Sequence, residues 1–168
     1  MSELKSKRLR FIKSTPEILR KVVEGDDVLA AHLDVRIPEE WDEFEKGPFL
    51  FVLNRLNDHP EEVEWWNWLA ILYPENILIG TCGYKGPPQD GIVEIGYGVI
   101  SSFRGIGLAT EIAAVLIDNA LTFPEVSKVI AHTLPEENAS CNVLRKCGFH
   151  FVGEVMDPED GCIWRWER

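Results

Sequence analysis

The chain has 168 residues, of which 45% are hydrophobic and 27% are charged. This is the balance of a folded globular protein, and the length predicts a single domain over residues 1–168 with one buried core. The 28 acidic and 17 basic residues give a formal net charge of −11 at pH 7. Because no basic run offsets this charge, the composition argues against nucleic acid and anionic membrane surfaces as partners.

The cysteines and the chain start predict a reduced cytoplasmic protein without a metal site. No two cysteines have C-x-x-C spacing, and the cysteines do not group with the four histidines as zinc ligands do. The first residues lack the apolar core of a signal peptide. The longest apolar run, Trp68–Tyr73, is far shorter than the roughly 20 residues of a membrane span. We therefore expect four free thiols and a cytoplasmic location.

The N-terminal half is predicted to be mostly helical after one short strand. Thr15, followed by Pro16 and Glu17, is typical of a helix start, and Gly25 ends that helix. The predicted elements are, in order, a strand over Leu9–Ile12, this helix, a second helix over Asp26–Leu33, a third beginning at Pro38–Phe44 and a loop over Asn54–Pro60.

The C-terminal half alternates strands and helices. Apolar residues recur at helical spacing from Leu108 to Phe123, which predicts the best helix of the chain. The order of elements indicates one mixed α/β domain of α+β type. The other predicted elements are strands over Trp65–Leu72, Asn76–Thr81, Ile92–Ile100, Lys128–Thr133, Phe149–Val155 and Cys162–Trp166, and a helix over Asn138–Cys147 that Gly148 stops.

The most informative segment joins the strand Ile92–Ile100 to the helix that begins at Leu108. Between them lies a glycine-rich turn, and the first amides of a helix have no intrahelical partner and favour an anion. Glycine also lets a ligand approach the backbone closely. A phosphate site and a simple tight turn are both open interpretations. The dinucleotide fingerprint needs a third glycine where Thr110 stands, and the Gly-Lys-Ser/Thr of the Walker motif is absent.

The segment Arg104-Gly-Ile-Gly-Leu-Ala109 resembles the Arg/Gln-x-x-Gly-x-Gly/Ala signature of the GNAT superfamily of acetyl-CoA-dependent N-acetyltransferases. The residues from Gly91 to Ile100 resemble the strand that precedes this signature. The segments Leu134–Ser140 and Val143–Phe149 resemble the motif on the next strand and helix. The resemblance is closest to the bacterial subgroup that includes ribosomal-protein N-terminal alanine acetyltransferases. It covers about residues 76 to 155 well and the preceding part poorly.

The resemblance implies a fold and a cofactor site. The fold is a GNAT-like single domain whose mixed, mostly antiparallel sheet splays at the cofactor strand and carries helices on both faces. Backbone amides at the turn hold the pyrophosphate of acetyl-CoA, the pantetheine arm pairs with the splayed strand, and Asn138 bonds a pantetheine amide. Asn138 is equally suited to be a helix N-cap. The implied cofactor-binding residues are Gly98, Val99, Ile100, Arg104, Gly105, Ile106, Gly107, Leu108, Ala109, Thr110 and Asn138.

Two catalytic residues follow from the same resemblance. Glu94 matches the carboxylate of acetyltransferases that have one on this strand, and an amine must lose a proton before it attacks a thioester. The alternative is an exposed strand glutamate, with a chain of water molecules serving as the base. Ser140 matches a serine of the subgroup and is a hydrogen-bond donor for the leaving sulfur, whereas the tyrosine that many members use is replaced by Leu144. A first-turn serine without a catalytic role is the alternative. His132 is expected to be a surface or satisfied polar group and not a catalyst.

The predicted function is transfer of an acetyl group from acetyl-CoA to a primary amine by direct attack in a ternary complex. The amine belongs to a protein N-terminus or a small molecule, and the Val99 amide stabilises the developing oxyanion. A non-catalytic coenzyme A-binding module is the alternative, and a nucleotide-phosphate-binding regulator is a more remote one. The acidic charge favours a cationic acceptor. Exposed edges of the C-terminal hairpin suit a homodimer.

Overall fold

The computed structural model describes residues 3–168 and contains one seven-stranded sheet in the order β1-β2-β3-β4-β5-β7-β6. Neighbouring strands are antiparallel except β4 and β5, which are parallel. This confirms the predicted mixed, mostly antiparallel sheet. The strands are β1 Leu9–Lys13, β2 Asn67–Leu72, β3 Ile77–Tyr84, β4 Ile92–Val99, β5 Lys128–Thr133, β6 His150–Asp157 and β7 Gly161–Glu167.

Five α-helices and three 3-10 helices accompany the sheet in the described part of the chain. The α-helices are α1 Pro16–Glu24, α2 Asp26–Leu33, α3 Gly47–Asp58, α4 Leu108–Ala120 and α5 Ala139–Lys146. The 3-10 helices are Glu39–Glu43, Pro60–Trp65 and Ser101–Phe103. Successive residues of β3 are buried, so the centre of the sheet is covered on both faces.

The third helix and the following loop were predicted wrongly. Glu39–Glu43 forms only a short 3-10 helix, and the true third helix, α3, runs through most of the predicted loop Asn54–Pro60. Proline is tolerated in the first helical turn, which allows Gly47-Pro48 to open α3. The helix is stabilised by apolar side chains that it buries at helical spacing, namely Phe49, Val52, Leu53 and Leu56.

Aromatic side chains pack together in the N-terminal half of the chain. Trp41 is fully buried, with its ring centroid 5.0 Å from that of Phe44 and 6.0 Å from that of Phe49.

The four cysteines are free, as predicted. Within residues 3–168, every helix falls short of the length and hydropathy that crossing a bilayer requires. β6 is an edge strand with exposed Phe151 and Met156, so the homodimer stays a prediction.

The sheet opens between its two parallel strands. β4 and β5 pair only where Ile92–Glu94 face Lys128–Ile130. Beyond this point β4 remains paired with β3, while β5 remains paired with β7. The Ile100 N–H donates to the Ile79 carbonyl at 2.9 Å on the β3 side. Because successive peptide groups of a strand alternate in direction, the Val99 N–H faces the gap.

Candidate active site

A cleft of about 560 Å³ lies where the two strands part. It is bounded by the end of β4, the turn before α4 and the first turns of α4 and α5. Nine of the predicted cofactor-binding residues line it, namely Gly98, Val99, Arg104, Gly105, Gly107, Leu108, Ala109, Thr110 and Asn138.

Two predicted cofactor-binding residues do not line this cleft. Ile100 is fully buried, and its N–H is already bonded to Ile79, so the prediction that it pairs with the pantetheine arm is wrong. The physical reason is the alternation of a strand, which directs the peptide groups of Val99 and Ile100 to opposite edges. Ile106 is 54% exposed and presents its side chain to solvent.

The turn before α4 has the backbone of an anion site. Gly105 and Gly107 adopt φ values of +78° and +87°. This left-handed conformation is unfavourable for residues other than glycine. Gly107 is the N-cap of α4 and no side chain caps the helix there. The first-turn amides are therefore left for a ligand, in the arrangement that binds phosphate groups at helix N-termini.

Arg8 of the N-terminal segment holds this turn from outside. Its Nη2 donates to the Ile106 carbonyl at 2.8 Å, and its Nε lies 2.5 Å from the carboxylate of Glu111 in α4. The Ser6 hydroxyl donates to the same carboxylate at 2.7 Å. Burial opposes ionisation of Glu111, but the bonds from Ser6 and Arg8 outweigh it and keep its pKa below the usual value. The turn is thus tied to the helix that follows it.

Arg104 is engaged by two protein partners at the mouth of the cleft. Its Nε donates to the Val99 carbonyl at 2.8 Å, and its Nη2 lies 3.3 Å from a carboxylate oxygen of Glu43. Glu43 also accepts hydrogen bonds from the Ser101 N–H, at 3.2 Å, and from the Ser101 hydroxyl. Part of the positive charge of Arg104 is therefore balanced by the protein itself.

A second cleft of about 730 Å³ lies beside the first and shares Asn138 and Ser140 with it. Glu94 lines this second cleft and not the first. One Glu94 oxygen lies 2.8 Å from His132 Nδ1 and 3.0 Å from Lys85 Nζ, and its side chain is only 20% exposed. Glu94 is therefore a paired, largely buried carboxylate and not an exposed strand glutamate.

Asn138 and Ser140 form the wall between the two clefts. The Asn138 side-chain oxygen accepts the Cys141 N–H at 3.1 Å, so this residue is the N-cap of α5, as one interpretation predicted. The cap uses its oxygen, and the amide nitrogen has no protein partner among residues 3–168. Asn138 can therefore cap the helix and bind a ligand at once.

The sequence analysis did not place several residues of the clefts in the site, among them Tyr97, His132 and Lys146. Tyr97 lines the first cleft and interacts with Ser140, whereas Leu144 is buried in the core. Burial raises the Tyr97 pKa above its ordinary value, although the interaction with Ser140 opposes this. Lys146 adds a positive charge to the first cleft. The alternation of β4 was a usable signal for Tyr97, since it places Tyr97 and Val99 on one side of the strand.

A cluster of possible metal ligands elsewhere is accounted for by protein contacts. Ligand atoms of His59, Glu61 and Glu62 lie within 4.8 Å of one another. Glu62, however, accepts hydrogen bonds from both Arg55 Nε at 2.7 Å and Arg55 Nη2 at 2.6 Å, and from Trp66 Nε1 at 3.0 Å. The Arg55 bonds lower the Glu62 pKa to about 2. The Glu62 carboxylate is therefore engaged in hydrogen bonds within the protein.

The sequence profile of the acetyltransferase (GNAT) domain matches residues 15–150. An uncharacterized N-acetyltransferase of Bacillus subtilis, YjdG, is 27% identical over 150 residues, which is 87% of this chain and 88% of that protein. A ribosomal-protein alanine acetyltransferase from Vibrio fischeri has a similar structure, with a TM-score of 0.67 at 16% identity and coverage of 100% of this chain and 96% of that one. AAC(6′)-Ib, solved with ribostamycin and coenzyme A, gives a TM-score of 0.66 at 18% identity and coverage of 96% and 93%. The chain belongs to the GNAT acetyltransferase family.

Proposed function

We propose that this protein transfers the acetyl group of acetyl-CoA to a primary amine by direct attack within a ternary complex. The observation that carries the proposal is the pair of clefts that meet at Asn138 and Ser140. One cleft begins at a phosphate-binding turn, and the other contains a paired carboxylate. Two substrates bound in these clefts would meet at the shared wall.

Acetyl-CoA fits the first cleft by charge and by backbone geometry. The amides from Arg104 to Thr110 bind the diphosphate, and Arg104 and Lys146 supply positive charge within the lining of the cleft. The pantetheine arm follows β4 at Gly98 and Val99, along the edge that faces β5 and is not paired with it there. The Asn138 amide nitrogen binds a pantetheine carbonyl. The volume of about 560 Å³ lies within the usual range of ligand sites.

The chemistry needs a free amine, a polarised carbonyl and a protonated leaving group. Glu94 supplies the negative charge that draws the proton from the incoming ammonium group. The amine nitrogen then forms a bond to the thioester carbon, while the carbonyl oxygen accepts the Val99 N–H as it gains charge. The carbon–sulfur bond breaks, and Ser140 together with Tyr97 donates hydrogen bonds to the thiolate of coenzyme A.

The second cleft favours a cationic acceptor. Its acidic lining residues are Glu94, Asp157 at the end of β6, and Glu159 and Asp160 of the following turn, against Lys85 and His132. Excess carboxylates attract ammonium groups. One similar structure is named as a ribosomal-protein alanine acetyltransferase, and another is bound to the aminoglycoside ribostamycin. A protein N-terminus and an aminoglycoside both present amines. The acceptor class that we propose is therefore an amine of a small molecule or a protein N-terminus.

Calorimetry with acetyl-CoA, followed by mass spectrometry of products, tests this function. The amines tested are ribostamycin, spermidine and a peptide with N-terminal alanine. We expect acetyl-CoA to bind and at least one amine to be acetylated. Binding without any product would instead favour a non-catalytic coenzyme A module, and the absence of binding would overturn the proposal.

A matched pair of glycine variants tests the binding turn. Gly105 and Gly161 have φ values of +78° and +73°, and a Cβ added to either meets no atom within 4 Å. Alanine at either position therefore costs a similar strain, about 1–2 kcal/mol. Only Gly105→Ala is expected to weaken acetyl-CoA binding, by at least five-fold. Equal affinities for the two variants would contradict the assignment of the turn.

A further inference from the structure

His132 is held against Glu94 at the point where the sheet opens. Glu94 is the last residue of β4 that pairs with β5, opposite Ile130, and His132 lies two residues farther along β5 on the same face. Nδ1 of His132 and Oε1 of Glu94 are 2.8 Å apart. The two side chains are 17% and 20% exposed. The pair therefore lies within the second cleft and is sheltered from bulk water.

The hydrogen bond fixes which ring nitrogen carries the proton. An ionised carboxylate is only an acceptor, so Nδ1 of the neutral imidazole is the donor and Nε2 keeps its lone pair. Among residues 3–168, the hydrogen bonds of the His132 ring involve Nδ1 alone. His132 also lines the second cleft together with Asn138 and Ser140. An unprotonated nitrogen is thus available in the cleft proposed for the amine.

We propose that Nε2 of His132 takes the proton from the acceptor ammonium group and that Glu94 is the positioning carboxylate behind it. This inference rests on the proposed function and moves the contact with the amine from Glu94 to His132. A carboxylate that orients a histidine and stabilises its imidazolium form is an established arrangement for proton transfer. His132 is then the catalytic base, and Glu94 acts through it.

The step balances in protons and bonds. The ammonium N–H bond breaks, an Nε2–H bond forms, and His132 becomes an imidazolium ion beside Glu94. The amine lone pair forms the carbon–nitrogen bond, and the carbon–sulfur bond of the thioester breaks. The second proton that the nitrogen loses passes to the thiolate of coenzyme A. His132 then releases its proton to solvent.

Charged groups from several elements surround this pair. Lys85, just after β3, lies 3.0 Å from the same Glu94 oxygen and shares its charge. Asp157 of β6 acts electrostatically on His132, and Arg165 of β7 is its partner in the strand ladder. Glu159 and Asp160 line the same cleft. The proton is therefore transferred among side chains of both charges, which belong to four different parts of the fold.

Nitrogen NMR of ¹⁵N-histidine-labelled full-length protein tests the geometry without an acceptor. The His132 resonances are assigned by their loss in His132→Gln. We expect Nδ1 to be protonated and Nε2 unprotonated in the wild type. Glu94→Ala should shift His132 to the Nε2-protonated tautomer, because the carboxylate acceptor is gone. A wild-type His132 protonated at Nε2 would overturn the inference.

The pH dependence of kcat/KM tests the chemistry, with whichever amine of the panel the wild type acetylates. His132→Gln is expected to lower kcat/KM at pH 7 by about 100-fold or more. It should remove the acidic limb along which His132 becomes protonated, and activity should recover at high pH, where the amine loses its proton unaided. Glu94→Gln should give a smaller loss, and the exposed His150→Gln should change nothing. The affinity for acetyl-CoA should be the same in all of them.

The outcomes separate the two proposals. An active wild type with His132→Gln within two-fold of it, and with an unchanged pH profile, would overturn the role of His132 alone. A wild type that binds acetyl-CoA but acetylates no amine of the panel would instead overturn the proposed function, and with it the catalytic role assigned to His132.

Discussion

Glu43 and Arg104 form an ion pair, with 3.3 Å between a carboxylate oxygen and Nη2, that joins the 3-10 helix Glu39–Glu43 to the turn before α4. The Glu43 side chain is 33% exposed and also binds the Ser101 N–H. A fixed negative charge therefore lies next to the turn that we propose for a diphosphate. The same carboxylate also neutralises part of the positive charge of Arg104.

Glu43→Gln is expected to strengthen acetyl-CoA binding about two- to five-fold at low ionic strength. Glutamine keeps an acceptor for the Ser101 N–H, but it removes a charge that repels the ligand and releases Arg104. The gain should fade above about 0.3 M salt because solvent screens the charge. Calorimetry over a salt series measures this, with Glu39→Gln as the control. A weaker affinity would show that Glu43 serves mainly to position Arg104.

Tyr97→Phe is expected to lower kcat at least ten-fold and to leave the KM for acetyl-CoA unchanged. Burial keeps the Tyr97 pKa above its ordinary value, so the hydroxyl remains a donor through the neutral and mildly alkaline range. Phenylalanine preserves the packing of the ring and removes only that donor. Steady-state kinetics measures the effect.

Tyr84→Phe is the control for this variant. The Tyr84 hydroxyl donates to the Leu116 carbonyl at 2.6 Å in the core, where it borders neither cleft. Its loss should lower the melting temperature but not kcat. If Tyr97→Phe keeps at least half of the wild-type kcat, the leaving thiolate is served by another group.

Gly80→Ala is expected to destabilise the fold by about 1–3 kcal/mol and to weaken acetyl-CoA binding. A Cβ at Gly80 would collide with the backbone carbonyl of Gly98, and backbone cannot move aside as a flexible side chain does. The strand β4, which we propose for the pantetheine arm, must therefore shift. Thermal unfolding and calorimetry measure both effects. Gly47→Ala is the matched control because its Cβ meets no atom within 4 Å.

Glu62→Gln is expected to reduce stability at neutral pH and to lose this effect in acid. Hydrogen bonds from Arg55 lower the folded-state pKa of Glu62 from 4.5 to about 2. The contribution of Glu62 to stability is therefore present above pH 4.5 and is lost as the pH falls towards 2. The difference between wild type and variant in free energy of unfolding should shrink over that window.

Urea unfolding from pH 2 to pH 7 measures this difference. Glu61→Gln is the control, because the Glu61 side chain is 69% exposed and should contribute little at any pH. A difference that is constant over the whole range would contradict the ion-pair explanation and would point to packing alone.

Features set by neighbouring residues could be predicted from the sequence. The glycine pair at 105 and 107, the helical stripe of α4 and the Asn138 cap each depend on residues within one or two turns, and the structure has them all. The helix α3 was missed because Asn54, Asn57 and Asp58 favour turns in isolation. Burial of the apolar side chains of α3 overrides that local preference.

Features that depend on distant residues were harder to predict. Glu94 and His132 are 38 residues apart in the chain, and only the parallel pairing of β4 with β5 brings them into contact. The sequence therefore indicated Glu94 but not its partner. The error at Ile100 has a simpler cause, because the direction of alternation along β4 becomes known only once the Ile79 hydrogen bond is seen.

The wall formed by Asn138 and Ser140 has a practical consequence for ligand design. A coenzyme A thioether that carries an amine on a short tether is expected to reach both clefts at once, since Asn138 and Ser140 border both of them. Once the coenzyme A part is bound, the amine part is held at a high effective concentration near the second cleft. The affinity of the linked compound should therefore be well above that of either part alone. The tether length that gives the highest affinity would report the distance between the two bound groups.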